Sequence, residues 1–472
     1  MNACFQIGDI RIQAAAVVSP TASGIRTAPV SLWSVYFLSA RRALAFASKR
    51  AGFIRGVGKL SRRYVQVKCC CLHAAVSVSP RRARVCLQGA FKDTTPDVLL
   101  AEVLSAVLAR SGVSATDVGE ICVGNVLQPG SGALSSRVAQ VRAGIPHTVP
   151  LSTVNRQCSS GLQAVAHVAA GIKAGHYAIG IAAGVESMSL NGMGGGGGLP
   201  PGIDPKFIQA DRDGAAVLVP MGITSENVAA KFGISRAEQV GCLPRGRPED
   251  AFAAESHARA HRAQEEGLFE DEILPVRTTV KGPDGAEVDV MVSKDEGVRA
   301  GTTAAKLGGL KAVFKKGGTT TAGNASQVSD GAAATLLMTR AAAAQRGLRP
   351  LGVFRSYAVV GVPPEVMGIG PAVAIPAAVS RAGLELADVD VFELNEAFAS
   401  QATYCVKELG LDAAKVNPKG GAIALGHPLG CTGCRQVATL LYELRRTGKR
   451  FGVVSMCIGT GMGAAAVLEL CC

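Results

Sequence analysis

Two stretches of the chain, 271 positions apart, repeat the same succession of residue patterns. Residues 106–123 read AVLARSGVSATDVGEICV and residues 377–394 read AAVSRAGLELADVDVFEL. An Arg, a Gly and an Asp-Val pair recur between them at this constant offset. Each copy predicts an amphipathic helix, a glycine that ends it, a turn at the aspartate and a short apolar strand.

Further landmarks follow both copies in the same order. Val154 and Asn155 return as Val416 and Asn417, and two glycine-led apolar strands then follow, IGIAAGVES and FGVVSMCIG. Because helix and strand patterns alternate in both copies, we predict an α/β fold of two duplicated halves whose sheets are covered by helices. The two apolar strands do not alternate with polar residues, so we expect them to be buried on both faces.

Segments that lack a repeat partner complete the predicted organisation. Residues from about 190 to 310 have no counterpart in the second half and hold a glycine run, charged stretches and several prolines. We interpret them as an inserted loop domain over the first half, where such insertions commonly cover a site. The chain then divides into a basic tail at 1–88, a first half at 89–340 and a second half at 341–472.

The net charge of +13 belongs to the tail rather than to the body of the protein. Residues 1–90 hold 14 Lys and Arg residues and one acid, Asp9, whereas the chain from Phe91 onward balances 35 basic against 35 acidic residues. A neutral body argues against a nucleic-acid groove, which needs clustered basic residues. The Arg-, Ser- and Ala-rich tail is typical of organellar targeting, or else it is a disordered extension or a wrongly predicted gene start. No apolar run is long enough to predict a membrane span.

The segment VNRQCSSGLQAV places Cys158 between an extended stretch and the start of a predicted helix. A helix N-terminus offers a partial positive charge and free N–H groups, which favour a thiolate. Lowering the cysteine pKa from about 8.5 by about 2 units makes the thiol mostly ionised at pH 7. Cys158 is therefore either an activated nucleophile or a buried structural thiol, and the local sequence leaves both open.

Three further segments place reactive residues beside glycines or strand ends. His427 lies in GGAIALGHPLG, Cys457 ends the apolar strand of SMCIGTGMG, and Asn395 follows the strand that leads into LNEAFASQ. The glycine-rich turn after Cys457 can present backbone N–H groups to an oxyanion. Structural roles stay open for the loop histidine and, as a helix cap, for Asn395. We interpret Cys431 and Cys434, a C-x-x-C, as small buried helix residues rather than a redox pair.

Taken together, these segments resemble the motifs of the thiolases. CSSGLQAV resembles the acyl-nucleophile motif of that family, and NEAFASQ, GGAIALGHPLG and SMCIGTGMGAAAV resemble its three later motifs, in the family's order. The resemblance runs from about Gly89 to Leu470 and is greatest to peroxisomal members that act as 3-ketoacyl-CoA thiolases in β-oxidation. It implies the thiolase fold, with duplicated αβαβα-type halves and an inserted loop domain. The implied enzyme is an acyltransferase that cleaves a 3-oxoacyl-CoA with CoA, giving acetyl-CoA and a shortened acyl-CoA.

The resemblance also implies a role for each catalytic candidate. Cys158 attacks the ketone and becomes the acyl-thioester, while His427 activates it and contributes to an oxyanion hole. Cys457 is the acid and base at the α-carbon. Asn395 holds a water that completes the first oxyanion hole, and the backbone of Cys158 and Gly459 forms the second.

Binding residues and partners are implied in the same way. Ser326 matches a family position that touches CoA, and Phe398 matches one that lines the pantetheine channel. Cleaving a carbon–carbon bond beside a thioester produces an enolate, which needs oxyanion stabilisation and a proton donor but no metal or redox cofactor. CoA is thus a substrate, two half-reactions at one cysteine imply ping-pong kinetics, and the family implies a homodimer or a dimer of dimers.

The chain departs from the family pattern in four places. The Arg-Thr-Pro turn expected before GAFKD is missing, VGCLPRGRP at 240–248 is an insertion with two prolines, and a glycine run at 192–202 replaces a more varied segment near the acyl pocket. The targeting nonapeptide is incomplete, because Lys59-Leu60 is followed by Gln66-Val67. A peroxisomal location therefore rests on the body of the protein, with a mitochondrion or plastid as the alternative.

Two other functions remain to be separated from the degradative thiolase. A biosynthetic acetoacetyl-CoA thiolase uses the same residues on short chains, but usually has a His-containing covering loop where this chain has its glycine run. A non-catalytic binding protein on the same fold, such as a lipid carrier, would be expected to lack one of the reactive residues that are present here.

Overall fold

A computed structural model describes the backbone of residues 4–7, 10–13 and 69–78, and all atoms of residues 89–193, 202–240, 252–281 and 285–471. The predicted targeting signal, the glycines at 194–198 and most of the insertion at 240–248 lie outside the described residues. Two compact units are present, Met1–Tyr64 and Val65–Cys472. The first contains a two-stranded antiparallel hairpin, and the second contains all the elements discussed below. None of the helices in the described parts is long and apolar enough to cross a membrane.

The bounds of the elements define the labels used from here on. The strands are β1 (Cys4–Ile7), β2 (Ile10–Gln13), β3 (Cys69–Val78), β4 (Glu120–Gly124), β5 (Leu151–Val154), β6 (Ile179–Ser187), β7 (Val276–Lys281), β8 (Glu287–Val292), β9 (Asp330–Thr339), β10 (Gly352–Gly361), β11 (Val391–Leu394), β12 (Phe451–Ile458) and β13 (Met462–Leu470). The helices are α1 (Pro96–Ser111), α2 (Ala133–Arg142), α3 (Ser160–Ala174), α4 (Pro205–Ala210), α5 (Arg212–Val217), α6 (Met221–Phe232), α7 (Arg236–Val240), α8 (Phe252–Glu265), α9 (Ala304–Gly308), α10 (Arg340–Gln345), α11 (Gly370–Arg381), α12 (Ala399–Glu408), α13 (Ala422–Leu425) and α14 (Leu429–Thr447).

The sheet of the second unit contains the predicted duplication. Its strand order is β11-β12-β13-β10-β3-β9-β6-β4-β5. In the first half β3, β9 and β6 pair antiparallel, and β6, β4 and β5 pair parallel. The second half repeats this order, with β10, β13 and β12 antiparallel and β12 and β11 parallel. A single parallel bridge between Phe392 and Val416 stands where the first half has β5. The duplicated α/β halves are therefore confirmed.

The local repeat also folds as predicted. Helix α1 ends at Gly112, whose φ is 66°, and a helical turn at Ala115–Asp117 leads into β4. Helix α11 is followed by Gly383, whose φ is 73°, and by the turn Leu386–Asp388 before β11. The left-handed glycine ends each helix because residues with a Cβ adopt this conformation at a cost. Strands β6 and β12 are buried along nearly their whole length, as expected.

Helices α3 and α14 form the centre of the molecule. One apolar core lies between α1 and the first-half strands, a second surrounds α3 and α14, and a third lies between α11, α12 and the second-half strands. The two halves of the nine-stranded sheet therefore lie on either side of the α3–α14 pair, with α1 outside one half and α11 and α12 outside the other. Between β6 and β9 the chain runs through helices α4 to α9 and the β7–β8 hairpin, so this insertion lies over the layered body where the repeat is interrupted.

Strand β3 lies within the segment that we predicted as a tail at 1–88. Its backbone pairs with the whole of β9, from Cys69 opposite Thr339 to Val78 opposite Asp330. Strand β9 is buried on both faces, and its backbone polar groups need partners on both edges because no water reaches them. The sheet of the first half thus takes in residues that precede the predicted start at residue 89.

Candidate active site

Cys158 lies in the short connection between β5 and α3. Gln157 has a φ of 47°, and the turn is closed by hydrogen bonds from Ser159 N to Arg156 O (3.1 Å) and from Ser160 N to Gln157 O (3.0 Å). A positive φ outside glycine is uncommon and is held only when the surroundings enforce it. This turn leaves Cys158 8% exposed, immediately before the first turn of α3.

Two backbone N–H groups lie close enough to the Cys158 sulfur to lower the pKa of its thiol. One is its own N–H and the other is that of Gly459, just beyond β12. The chain reverses after Gly459 through left-handed residues, Thr460 and Gly461, with φ of 72° and 96°. A Cβ at position 459 would lie 3.8 Å from Gln157 Cγ, so this glycine is close to the nucleophile turn. The predicted pair of backbone N–H groups therefore lies beside the Cys158 sulfur.

Burial dominates the ionisation of Cys158. It raises the pKa of the thiol to about 11, the two N–H hydrogen bonds oppose this only in part, and the Glu186 carboxylate raises it further. Between the two interpretations that the sequence left open, burial dominates the pKa, because loss of hydration outweighs the helix N-terminus. Cys158 is thus a protonated thiol at neutral pH.

His427 is held between the two halves, with both ring nitrogens in contact with side chains. Its Nε2 lies 3.3 Å from Asn395 Nδ2, and its Nδ1 lies 2.7 Å from Thr432 Oγ1. The backbone N–H of His427 donates to Gln327 O at 3.1 Å. Burial lowers the pKa of the imidazole to about 3, and the Arg435 cation lowers it further. The ring is therefore neutral at pH 7, with one of its two nitrogens unprotonated.

Asn395 is the residue directly after the end of β11. Its backbone N–H donates to Ser455 O on β12 at 2.8 Å, which holds it in line with the sheet. Its Oδ1 is buried and makes no hydrogen bond to any of the described residues. Buried amide oxygens are nearly always hydrogen-bonded, so this atom is suited to a water or a substrate group.

Cys457 lies at the end of β12, fully buried, in contact with Met367, Ala397 and Phe398. Burial raises its pKa well above the usual range, and the neighbouring Cys158 raises it further. The two thiols are therefore close enough that ionising one opposes ionising the other. Cys457 is therefore a protonated thiol at neutral pH and can act as a proton donor to a neighbouring group.

The predicted binding residues lie on the side of Cys457. The N–H of Ser326 donates to Ala397 O at 2.9 Å, and Ala325 pairs with Phe398. Phe398 meets Phe314 of the inserted region edge to face, with ring centroids 6.4 Å apart. Phe314 is 42% exposed, so this aromatic pair connects the buried thiol region with the surface.

A shared apolar cluster connects the residues around Cys158 with those around His427. Cys158 packs with Met188 and Leu429, and Val328 packs against the same cluster. Leu429 is two residues beyond His427 in the sequence. The seven predicted residues thus come from the β5–α3 turn, the segments that follow β11 and β12, and the loops that precede β9 and α14.

Sequence reasoning missed Glu186, which joins the two halves at the site. Its buried carboxylate accepts hydrogen bonds from Val126 N (3.1 Å), Leu127 N (3.2 Å) and Asn125 Nδ2 (3.3 Å) of the first half. It also accepts from Gly430 N (3.0 Å) in the first turn of α14. The sequence did contain a signal for this residue, because Glu186 is an acidic residue near the end of the otherwise apolar strand β6. Burial raises the Glu186 pKa to about 7.

Thr432 was also missed, because a spacing of five residues from His427 matches no motif. By contrast, the interpretation of Cys431 and Cys434 as packing residues agrees with their complete burial in α14. The sulfur of Cys434 donates to Gly161 O of α3 at 3.2 Å. These cysteines therefore contribute to the contact between the central helices.

Comparison with known proteins gives matches over both halves. Residues 75–341 match the family model "Thiolase, N-terminal domain" and residues 348–470 match "Thiolase, C-terminal domain". Human "3-ketoacyl-CoA thiolase, peroxisomal" is 59% identical over 397 residues, 84% of this chain and 90% of the relative. "3-ketoacyl-CoA thiolase 2, peroxisomal" of Arabidopsis thaliana is 58% identical over 400 residues, 84% of this chain and 83% of the relative. The solved dimeric peroxisomal thiolase of Saccharomyces cerevisiae is 47% identical with a TM-score of 0.75, covering 86% of this chain and 97% of that one.

Proposed function

Because the chain belongs to the thiolase family, we propose that it is a peroxisomal 3-ketoacyl-CoA thiolase, which cleaves 3-oxoacyl-CoA with CoA during fatty acid β-oxidation. The observation that carries this proposal is the Cys158 sulfur, which has the N–H groups of Cys158 and Gly459 beside it and a second buried thiol, Cys457, as its neighbour. The names of the human and Arabidopsis relatives support the substrate class and the peroxisomal location.

The first half-reaction forms the acyl-enzyme. His427, neutral in the free protein, takes the Cys158 proton as the sulfur attacks the C3 ketone of the substrate. The N–H groups of Cys158 and Gly459 face the oxyanion at C3, and the protonated imidazole and a water on Asn395 face the C1 thioester oxygen, where the enolate charge develops. Cleavage of the C2–C3 bond leaves the acyl group on Cys158 and an enolate of acetyl-CoA. Cys457 gives its proton to C2, and acetyl-CoA leaves.

The second half-reaction returns the enzyme to its starting state. The thiol of CoA passes its proton to the Cys457 thiolate and attacks the thioester carbonyl on Cys158. In this step the N–H groups of Cys158 and Gly459 face the oxygen that becomes negative. The carbon–sulfur bond to Cys158 breaks, the sulfur recovers the proton from His427, and the shortened acyl-CoA leaves. Thiol–thioester exchange is nearly balanced in energy, so a cysteine is suited to both steps.

CoA enters this scheme as a substrate, and the chemistry needs no metal or redox cofactor. Ser326 and Phe398 support a binding path for CoA, because Phe398 packs beside Cys457 and meets the partly exposed Phe314. A pantetheine arm in this path would place its sulfur beside the two reactive thiols. The two halves that build the site divide between β9, which ends at Thr339, and β10, which begins at Gly352; we place the boundary at residues 340–341.

We also propose that the protein acts as a homodimer, alone or as a dimer of dimers. Leu134, Val138 and Val141 form an apolar stripe on α2 and are 86%, 57% and 60% exposed. Strand β5, packed beside α2, is an edge strand of the sheet. An exposed apolar stripe next to an open strand edge is typical of an interface, and the yeast relative is named a dimer. Light scattering should give two or four times the chain mass, and Leu134→Glu should shift it toward monomer; a monomeric wild type would contradict this.

The test of the proposed function is CoA-dependent thiolysis by the full chain, because β3 lies in the sheet and a shortened chain would lose it. Acetoacetyl-CoA and a long-chain 3-oxoacyl-CoA are compared in the wild type, Cys158→Ala and, as a control, Cys122→Ala, which also removes a buried thiol. We expect turnover of the long substrate, lost in Cys158→Ala and kept in Cys122→Ala. Turnover of acetoacetyl-CoA alone would support the biosynthetic enzyme, and no turnover by folded protein would support a binding protein.

A further inference from the structure

The ring of His427 lies between two side chains whose donor and acceptor groups decide which nitrogen carries the proton. Asn395 Nδ2 lies 3.3 Å from Nε2, and Thr432 Oγ1 lies 2.7 Å from Nδ1. The same Thr432 hydroxyl lies 3.0 Å from Pro428 O in donor geometry. A neutral imidazole has one N–H and one lone pair, so the partner of one nitrogen fixes the state of the other.

Only one orientation of these groups uses all three contacts. In it, Asn395 Nδ2 donates to Nε2, the Nδ1–H donates to Thr432 Oγ1, and the Thr432 hydroxyl donates to Pro428 O. If the Thr432 hydroxyl donated to Nδ1 instead, its single proton could not reach Pro428, and the Asn395 amide would have to turn over to accept from Nε2. Buried polar groups favour the arrangement that satisfies most of them. In this series of hydrogen bonds, each group therefore donates in the same direction, from Asn395 through His427 and Thr432 to Pro428.

We infer that Thr432 is a positioning residue for His427: its hydroxyl holds the imidazole in the tautomer that keeps the lone pair on Nε2. The inference rests on the proposed function, in which Nε2 gives up its 3.3 Å contact with Asn395 Nδ2 and its lone pair takes the Cys158 proton. Thr432 itself touches neither substrate nor sulfur in this scheme. It acts through the ring, from the first turn of α14, where its backbone is fixed by the hydrogen bond from Thr432 N to Pro428 O at 3.0 Å.

Thr432→Val keeps the shape of the side chain and removes the hydroxyl, whereas Thr432→Ser keeps the hydroxyl. In Thr432→Val the Nδ1–H loses its acceptor, so the proton is free to move to Nε2 and block transfer from Cys158. We expect kcat to fall about 10- to 100-fold, within the usual range for losing a positioned base, with KM little changed. Thr432→Ser should recover most of this loss.

The pH profile separates a tautomer effect from a structural one. With His427 unable to accept the proton, attack depends on ionised Cys158, so kcat of Thr432→Val should rise about tenfold per pH unit between pH 7 and 9. The matched control is Thr439→Val, seven residues further along α14, which removes a buried hydroxyl bound to Glu272 (2.8 Å) and has no contact with His427. It should lower thermal stability and leave the pH profile unchanged.

Nitrogen NMR of protein with labelled histidines measures the tautomer of His427 independently of activity. The His427 signals are assigned by their absence in His427→Ala. We expect Nδ1 protonated and Nε2 unprotonated in the wild type and Thr432→Ser, and a mixed or reversed state in Thr432→Val. A wild-type ring protonated at Nε2, or a Thr432→Val enzyme that matches Thr439→Val in pH profile and tautomer, would overturn the inference. Failure of thiolysis in the wild type, or activity in Cys158→Ala, would instead overturn the proposed function.

Discussion

Gly433 on α14 lies against the backbone of α3, and replacing it with alanine tests whether this helix contact positions the reactive groups. A Cβ at position 433 would lie 2.2 Å from Leu162 N and 2.7 Å from Leu162 Cβ, whereas ordinary contact begins at 3.4 Å. Since a backbone atom cannot rotate away, the helices must separate by about 1 Å. Cys158 precedes α3 and His427 precedes α14, so this movement also separates the nucleophile from its base.

The substitution should affect catalysis more than stability. Overpacking a core costs about 1–3 kcal/mol, and the higher helix propensity of alanine returns about 1 kcal/mol. The free energy of unfolding should therefore fall by about 0–2 kcal/mol, whereas a misplacement of about 1 Å lowers the rate about 100-fold. Thermal unfolding and steady-state thiolysis measure the two quantities on the same preparation.

Gly171→Ala on α3 is the matched control. There the new Cβ would lie 2.3 Å from Tyr177 Oη, the end of a side chain that can turn aside without moving α14. It should lower stability and leave kcat unchanged. A folded Gly433→Ala protein with wild-type kcat, or an equal loss of kcat in Gly171→Ala, would refute the reasoning.

Three further predictions follow from buried groups. Glu186→Ala leaves backbone N–H groups, including that of Gly430, without an acceptor, and should lower the free energy of unfolding by about 3 kcal/mol or more; a loss below about 1 kcal/mol in thermal unfolding would contradict it. Alkylation of Cys158 by iodoacetamide should rise about tenfold per pH unit from pH 7 to 10, since its pKa is about 11; a rate already level at pH 8 would contradict the raised pKa. Lys419→Met strands the carboxylate of Glu272, which Lys419 contacts at 2.8 Å with both side chains buried, and should cost about 3–5 kcal/mol by chemical denaturation; near wild-type stability would show that the pair is not needed.

The low pKa of His427 has a defined consequence for stability. The folded pKa is about 3 and the unfolded value is about 6.5, so the unfolded chain binds a proton first as the pH falls. This histidine therefore supports the fold fully above about pH 6.5 and contributes less as the pH drops from there toward 3. His427→Gln should reduce the loss of stability between pH 6.5 and 4, measured by denaturant unfolding across that range.

The sequence was most informative where a pattern recurred. Apolar periodicity, the glycines after α1 and α11 and the strand pattern of β6 and β12 are local signals, and they predicted the duplicated halves. The motif residues also converge, because they lie at strand ends and helix starts that the layered fold brings together. Both kinds of signal depend on neighbours in the sequence, which is why they can be read without a structure.

Properties that depend on depth and on distant partners could not be read in this way. Burial, not the helix N-terminus, dominates the pKa of Cys158, and its extent depends on packing against Met188 and Leu429. Glu186 gains its role by reaching Gly430, which is 244 positions away in the sequence. Strand β3 belongs to a segment whose composition indicated a tail. It joins the sheet because the second edge of β9 needs hydrogen-bonding partners.

The most direct test of the proposed mechanism is to trap the acyl-enzyme. Wild-type protein is incubated with a long-chain 3-oxoacyl-CoA without free CoA, quenched in acid and digested for peptide mass spectrometry. Without CoA the second half-reaction cannot proceed, so the shortened acyl group should accumulate on the peptide that contains Cys158 and be absent in Cys158→Ala. An acyl group found on Cys457 or elsewhere, or no adduct in protein that turns over substrate, would contradict the assignment of Cys158 as the nucleophile.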